Sequence, residues 1–365
     1  MIKQLTLKNF RSYPDLRLEF ATPWTVFVGA NGAGKSNLLE ALFFLSMLRS
    51  FRTVTPRDLI RHGESGFRLG GVLERGVWKE ELDVAVGSGN DRVLTRNGEK
   101  LKKSSGFIDL VQPVAFVPED VMLISGSAAG RRRFADMYLS MLDPGYRHKL
   151  YSYNSALAQR NGALKRNSVS VNLISAFEPV MAENAVYIMQ RRRFFASLLA
   201  DEASSLLPDG ERFSIVYRPD APADSIDDYR TRLAAERDKE FKRGCTASGP
   251  QLDDFLFLLD NQPMRSFASS GERRKLAVTL KLAAYSILRK RRAAGRNIQL
   301  AVLVDDVTGE LDAANRELFF EQIKSADQAF FTFTGVPTDP VFSGASMFAI
   351  ADCSAKPLLS QPKGI

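Results

Sequence analysis

The sequence predicts an α/β fold, a mixed β-sheet carrying a P-loop and interrupted by a mostly helical inserted arm. Three observations lead there. Residues 29–36 read G-A-N-G-A-G-K-S, the G-x-x-x-x-G-K-[ST] pattern of a phosphate-binding loop, between an apolar run and a helical periodicity. A second apolar run, Gln299 to Val304, ends in Asp305-Asp306, as a strand does when it delivers carboxylates to a nucleotide-bound metal. Between these two, the chain passes from short alternating segments to long helical ones and back.

The opening alternates apolar and polar residues twice. Leu5 and Leu7 share one strand face, Leu16, Leu18 and Phe20 share the next, and Ser12-Tyr13-Pro14-Asp15 is the expected turn. Thr25 to Val28 reads as a buried strand leading into the loop. In the loop (Gly29, Ala30, Asn31, Gly32, Ala33, Gly34), the glycines allow a tight turn with N–H groups aimed inward. Lys35 is placed to reach the β/γ-phosphates of ATP or GTP, and Ser36 to offer a hydroxyl to Mg²⁺. Asn37 to Met47 has Leu38, Leu39, Leu42, Leu45 and Met47 at helical spacing, so a helix N-terminus with Asn37 in its first turn faces the phosphates. Strand-like patterns follow at Phe67–Val86 and Arg92–Lys100, with turn signals at 87–91 and at Asn97-Gly98.

After Pro118 the character is helical, from Gly130 to about Leu207 and from Ser225 to Lys242. Phe134, Met137, Tyr138 and Met141 share a face. No heptad pattern is sustained, so the arm is compact and not a coiled coil. The expected division is a head of residues 1–118 and 246–365 and an arm of residues 119–245. In the returning head, Ser269-Ser270-Gly271 opens a helix running to Arg292, Ala313–Ile323 is a helix, and Ala329–Thr334 is another buried strand.

With 365 residues and 45% hydrophobic content the chain can bury a large core, and no apolar run approaches the length that crosses a bilayer. The start lacks a basic segment followed by an apolar one, so a cytoplasmic location is expected. Two cysteines and two histidines assemble no metal cluster at the usual spacing and read as ordinary side chains, the cysteines as free thiols. The net charge of +8 points to a polyanionic partner. The excess is clustered at Arg131-Arg132-Arg133, Arg191-Arg192-Arg193, Arg273-Arg274-Lys275 and Arg289-Lys290-Arg291-Arg292, which favours nucleic acid.

The chemistry expected of the paired carboxylates is a division of labour: Asp305 holds Mg²⁺ beside Ser36, and Asp306 orients or deprotonates the attacking water. Ser269, Ser270 and Gly271 form an anion site through free N–H groups at a helix start, with an ordinary helix cap as the structural alternative. Their place upstream of the carboxylate strand resembles the signature motif of ABC-type ATPases, and Gly309-Glu310-Leu311-Asp312 resembles the D-loop. That resemblance implies an ATP-dependent homodimer, the signature of one copy meeting the γ-phosphate held by another, with Asp312 in the shared site.

The match narrows further. Asn9-Phe10-Arg11-Ser12-Tyr13, the loop through Leu42, Arg49-Ser50-Phe51-Arg52-Thr53, Pro118-Glu119-Asp120, Arg131–Phe134, Gln159-Arg160-Asn161 and Val304–Val307 resemble the RecF family of DNA replication and repair proteins. The resemblance implies an ABC-type ATPase head that clamps gapped or single-strand/double-strand junction DNA, works with RecO and RecR, and helps load RecA. It also puts Arg11 near the phosphates, a solvent-facing hairpin arginine being the alternative. Four positions depart from the family pattern: Glu272 for Gln, Gln251 for His, Gly309 for Ser and Gly335 for an acid. The Q-loop falls near Gln112–Asp120. An SMC-type head needs two long heptad segments between Ser36 and Ser269, and a transporter ATPase usually has a switch histidine after the carboxylate strand, where no His follows His148. A DNA-binding scaffold that holds ATP without turning it over is separated from an ATPase only by measuring phosphate release.

Overall fold

The computed structural model describes residues 1–89, 91–108, 110–166, 170–207, 212–293 and 298–358, apart from the side chains of residues 105, 293 and 310. It divides into two compact units, Met1–Pro118 with Arg292–Ile365, and Glu119–Arg291.

The first unit contains β1 (Ile2–Phe10), β2 (Tyr13–Glu19), β3 (Trp24–Val28), α1 (Lys35–Met47), β4 (Gly66–Arg75), β5 (Trp78–Gly87), β6 (Arg92–Arg96), β7 (Glu99–Lys100), α2 (Ser105–Ile108) and β8 (Val111–Phe116). Two sheets result. One is antiparallel, in the order β2-β1-β4-β5-β6-β7. Its first turn lies at Arg11-Ser12, with Phe10 facing Tyr13, two residues earlier than the sequence suggests. Pro14 therefore sits inside β2, which a proline tolerates because β2 is an edge strand. Asn97 and Gly98, at φ 51° and 81°, make the expected tight turn between β6 and β7.

The second sheet takes its remaining strands from the far end of the chain: β12 (Gln299–Asp305), β13 (Gln328–Phe333), β14 (Ser346–Ala351) and β15 (Ser354–Leu358), with order β15-β14-β3-β13-β12-β8. All neighbours are parallel except β14 and β15, so the sheet is mixed. Helix α11 (Ala313–Ile323) connects β12 to β13. Helix α1 packs on both sheets, which is why Leu38, Leu39, Leu42, Phe43, Phe44 and Leu45 are buried all round it instead of forming one stripe. Aromatic rings fill the sheet core: Phe20 meets Phe330 edge-on at 5.0 Å, and Trp24 lies 5.1 Å from Phe331.

The second unit contains α3 (Met122–Ser125), α4 (Ala128–Leu142), α5 (Pro144–Leu164), α6 (Val171–Ser175), α7 (Glu178–Ser204), β9 (Phe213–Arg218), α8 (Ile226–Arg243), β10 (Asp254–Leu259), β11 (Gln262–Pro263), α9 (Met264–Phe267) and α10 (Ser270–Ala293). Local signals set the helix ends. Asp143 caps α5 ahead of Pro144, Ser225 caps α8, and Gly244 closes α8 at φ 70°.

This unit runs to Arg291, whereas the sequence suggests an arm ending at residue 245. Two things draw residues 246–291 in. Strand β10 pairs with β9 from the helical segment, and buried ion pairs bridge the old boundary. Arg192 of α7 donates to Asp253 at 2.8 Å and to both carboxylate oxygens of Asp136. Arg131 of α4 holds Asp254 through two nitrogens, at 2.8 and 3.0 Å. Fully buried Arg160, paired with Glu178 and Glu240 inside the helical segment, crosses the boundary by donating to Thr246 Oγ1 at 2.9 Å. Two of the four basic runs are thus partly structural, because Arg131 and Arg192 are buried in ion pairs.

Candidate functional site

Strand β3 ends at Val28, the chain turns through Gly29–Gly34, and α1 starts at Lys35. Two glycines are obligatory. A Cβ on Gly29 would lie 2.3 Å from the Ile350 carbonyl oxygen, and one on Gly34, at φ 102°, would lie 2.8 Å from the Tyr13 hydroxyl. Ala30, Asn31 and Gly32 form the exposed crest, and the Ala33 N–H closes the turn onto Ala30. No side chain caps α1, which leaves its N-terminal donors for an anion. The Lys35 ammonium is folded over the loop, 2.7 and 2.9 Å from the carbonyls of Gly29 and Ala30.

The parallel pairing of β12 with β13 sets Asp305 opposite Thr332. Asp305 Oδ1 accepts from Ser36 Oγ and from Thr332 Oγ1, both at 2.8 Å. A hydroxyl and a carboxylate that stand together beside a phosphate loop are the hard-oxygen donors Mg²⁺ takes, the rest being phosphate and water. No group of three or more His, Cys, Asp or Glu competes for a metal among the described residues. The residues present therefore fit Mg²⁺ and a nucleoside triphosphate. Asp306 follows at φ 54°, a conformation costly for a residue with a side chain, and it is exposed.

Other expected residues are placed differently. Arg11 is engaged by Glu40 of α1: its Nε and Nη2 lie 2.8 Å from the two carboxylate oxygens, and its Nη1 is 2.7 Å from the Asp58 carbonyl. Glu40 is fully buried, so Arg11 supplies its countercharge and joins the first hairpin to the loop helix. The side-chain amide of Asn37 turns to the same hairpin, donating to Ser12 Oγ at 3.0 Å. A second guanidinium, that of Arg52, also approaches the loop helix, 3.5 Å from Asn37 Oδ1. Sequence reasoning noted its run without giving it a role. Thr332 was also missed, although the Thr-x-Thr strand that holds it was visible.

In the second unit, Ser269, Ser270 and Gly271 are exposed at the start of α10. Ser269 and Glu272 form a capping box: the Ser269 N–H donates to Glu272 Oε2 at 2.8 Å, and the Glu272 N–H to Ser269 Oγ at 3.3 Å. The hydrogen bond with Ser269 holds the Glu272 carboxyl below its ordinary range. The helix-cap alternative is therefore realised in the free chain, with a carboxylate standing where an anion site is expected. Asp312 likewise caps α11, accepting from the Asn315 N–H at 2.8 Å. Gln251 accepts a hydrogen bond from buried Tyr153 and donates to the Ser248 carbonyl. Gln112 is buried within β8, and Gly309 and Gly335 have open space where a side chain would stand.

A phosphate loop at the end of a central parallel strand, with a carboxylate at the end of another and a signature-like helix start elsewhere in the chain, defines the ABC-type ATPase head. Residues 1–349 match the family described as RecF/RecN/SMC N terminal domain. The chain is 34% identical to the DNA replication and repair protein RecF of Moorella thermoacetica, over 92% of this chain and 90% of that one. It is 33% identical to the RecF of Streptococcus equi subsp. zooepidemicus, over 92% of each. A solved structure described as the recombination mediator protein RecF-ATP in the RecFOR pathway superposes with TM-score 0.87 at 29% identity, covering 98% of this chain and 97% of that one. The Smc head of Pyrococcus yayanosii, at 13% identity and TM-score 0.52, shares the fold. The chain belongs to the RecF family of DNA replication and repair proteins.

Proposed function

We propose that this chain is a slow, Mg²⁺-dependent ATPase that dimerises on ATP, clamps gapped or junction DNA in the cytoplasm, and uses hydrolysis to let go. The contact of Ser36 Oγ with Asp305 Oδ1, beside Lys35 and an uncapped helix start, carries this reading. ATP is supported by the solved relative described as RecF-ATP. Lys35 exchanges its two carbonyl partners for the β/γ-phosphates. Ser36 and Asp305 hold Mg²⁺, which when bound offsets the charge of the phosphates. Asp306 orients the attacking water from its strained, exposed position. Its side chain is one methylene shorter than the Glu most ABC proteins use there, and misplacement on the order of 1 Å costs about 10²-fold, so turnover is slow.

The γ-phosphate completes its shell on Ser269 to Gly271 of a second copy, where Glu272 gives up the Ser269 N–H, with Asp312 in the same shared site. The relative's description in the RecFOR pathway supports RecO and RecR as partners, and the loading of RecA as the outcome is what the family resemblance implies. The test is phosphate release with and without DNA, together with molar mass in Mg²⁺ and ATP, ADP or no nucleotide. Mg²⁺-dependent release and an ATP-specific dimer are expected. ATP binding with no release makes the chain a DNA-binding scaffold, and a monomer under every condition removes the shared site.

A further inference from the structure

The two arginine triplets lie far apart in sequence, yet they converge. Arg132 Nη1 donates to the Asp253 carbonyl at 2.7 Å, and Arg192 Nη1 to the Asp253 carboxylate at 2.8 Å, so α4 and α7 bring their triplets side by side over one buried aspartate. The nearby acids are already taken. Asp136 is bonded by Arg192 and Tyr146, Asp143 by Arg191, Tyr187 and the Gly145 N–H, and Asp253 by Arg192, Tyr217 and the Asp220 N–H. Arg133 and Arg193 remain exposed, with no ion-pair partner among the described residues. Next to Arg193 on α7, Phe194 is 56% exposed, with the Arg191 guanidinium 5.2 Å from its ring centroid.

We infer that Arg133, Arg193 and the Arg191–Phe194 pair form a binding face for single-stranded DNA, phosphates meeting the two outer arginines and a base stacking on Phe194. This rests on the DNA reading above and gives it a place. Charge decides the class of partner: with its acids consumed internally the face is cationic, and cations around an exposed aromatic ring suit an unpaired, polyanionic strand. The middle arginines, Arg132 and Arg192, build the face without touching the strand.

The experiment is binding of labelled single-stranded, duplex and junction DNA across a salt series, with ATP binding followed in parallel. The double variant Arg133→Ser/Arg193→Ser is expected to flatten the log–log salt slope on single strands by roughly 1.4, about 0.7 per lost phosphate contact. Phe194→Ala is expected to weaken single-stranded and junction binding about 5- to 150-fold, as for one lost stacked base, with duplex affinity and salt slope kept. Phe194→Tyr restores it. All three side chains are exposed, so the fold and ATP binding stay intact. Single-strand binding unchanged in both variants, or Phe194→Ala weakening duplex equally, overturns the face while leaving DNA binding in place. A wild-type chain that binds no DNA brings down both readings.

Discussion

Around Lys35 the charged groups stand at the rim of a sheet whose interior is aromatic, whereas around Asp253 the charged groups are themselves the interior. Phe20, Phe27, Phe330 and Phe348 pack on one another in the sheet whose strand β3 leads into the phosphate loop. In the helical unit Asp253, fully buried, takes Arg192, Tyr217 and the Asp220 N–H, while Arg192 also reaches Asp136 and the Pro250 carbonyl. Apart from the Arg11–Glu40 pair, charge is kept available for chemistry in the first region, and it is committed to architecture in the second. A charge deletion should therefore cost function in one place and stability in the other.

The comparison can be broken from either side. Asp306→Asn is expected to lower phosphate release by about 10²- to 10⁴-fold, the usual worth of a general base, while leaving ATP affinity and thermal stability unchanged. A loss of stability there would mean that the rim is structural after all. Arg192→Ala strands the buried Asp253 carboxylate and the half-buried Asp136 and is expected to destabilise the chain by about 3–5 kcal/mol, read by denaturant unfolding of the second unit. Next in size, Lys35→Ala should weaken ATP by about 100-fold, the scale of a charged hydrogen-bond set, with an unfolding midpoint near wild type in the absence of nucleotide.

The smallest effect sharpens the contrast through pH. Burial alone would raise Glu178, but hydrogen bonds and charge from Arg237 and Arg160 outweigh it and hold the carboxyl below its ordinary 4.5. A carboxylate depressed in the folded state contributes stability above its unfolded value and loses it as pH falls through the folded one. Wild type should thus lose stability as the pH drops below about 4.5, and Glu178→Gln should show a shallower acid limb. Equal limbs would mean the pair contributes nothing to the helical unit.

Legibility in the sequence follows the same divide. Gly29–Ser36 could be read because a phosphate loop is contiguous, and Asp305 because an apolar run points at it. Thr332, which fixes Asp305, lies 27 residues on, and only the parallel register brings the two together. Arg192 and Asp253 stand 61 residues apart, and a run of three arginines looks the same in sequence whether its middle member is solvated or buried. That is why the charge runs suggested surface alone, and why the arm seemed to stop at residue 245. The Pro14 turn was misplaced for a related reason: proline signals a turn strongly, and its tolerance in β2 depends on the strand being at an edge, a tertiary fact. Ser269-x-x-Glu272 was readable as a capping box, but the resemblance drew attention to Glu272 as a departure instead.

The backing of Gly29 by Ile350 has a consequence for biosynthesis. The phosphate loop leaves the ribosome early, yet the strands that support it, β12 to β14, come near the end of the chain, and the whole second unit is made in between. That unit is continuous in sequence and can fold as it emerges. The nucleotide pocket instead waits on contacts between distant parts of the chain, which form slowly. A nascent or truncated polypeptide lacking Asp305 and Ile350 would carry an intact loop sequence and still be unable to grip Mg²⁺ and ATP. Nucleotide capture would thus certify a finished chain, and the proposed ATP-dependent dimer would exclude prematurely terminated products.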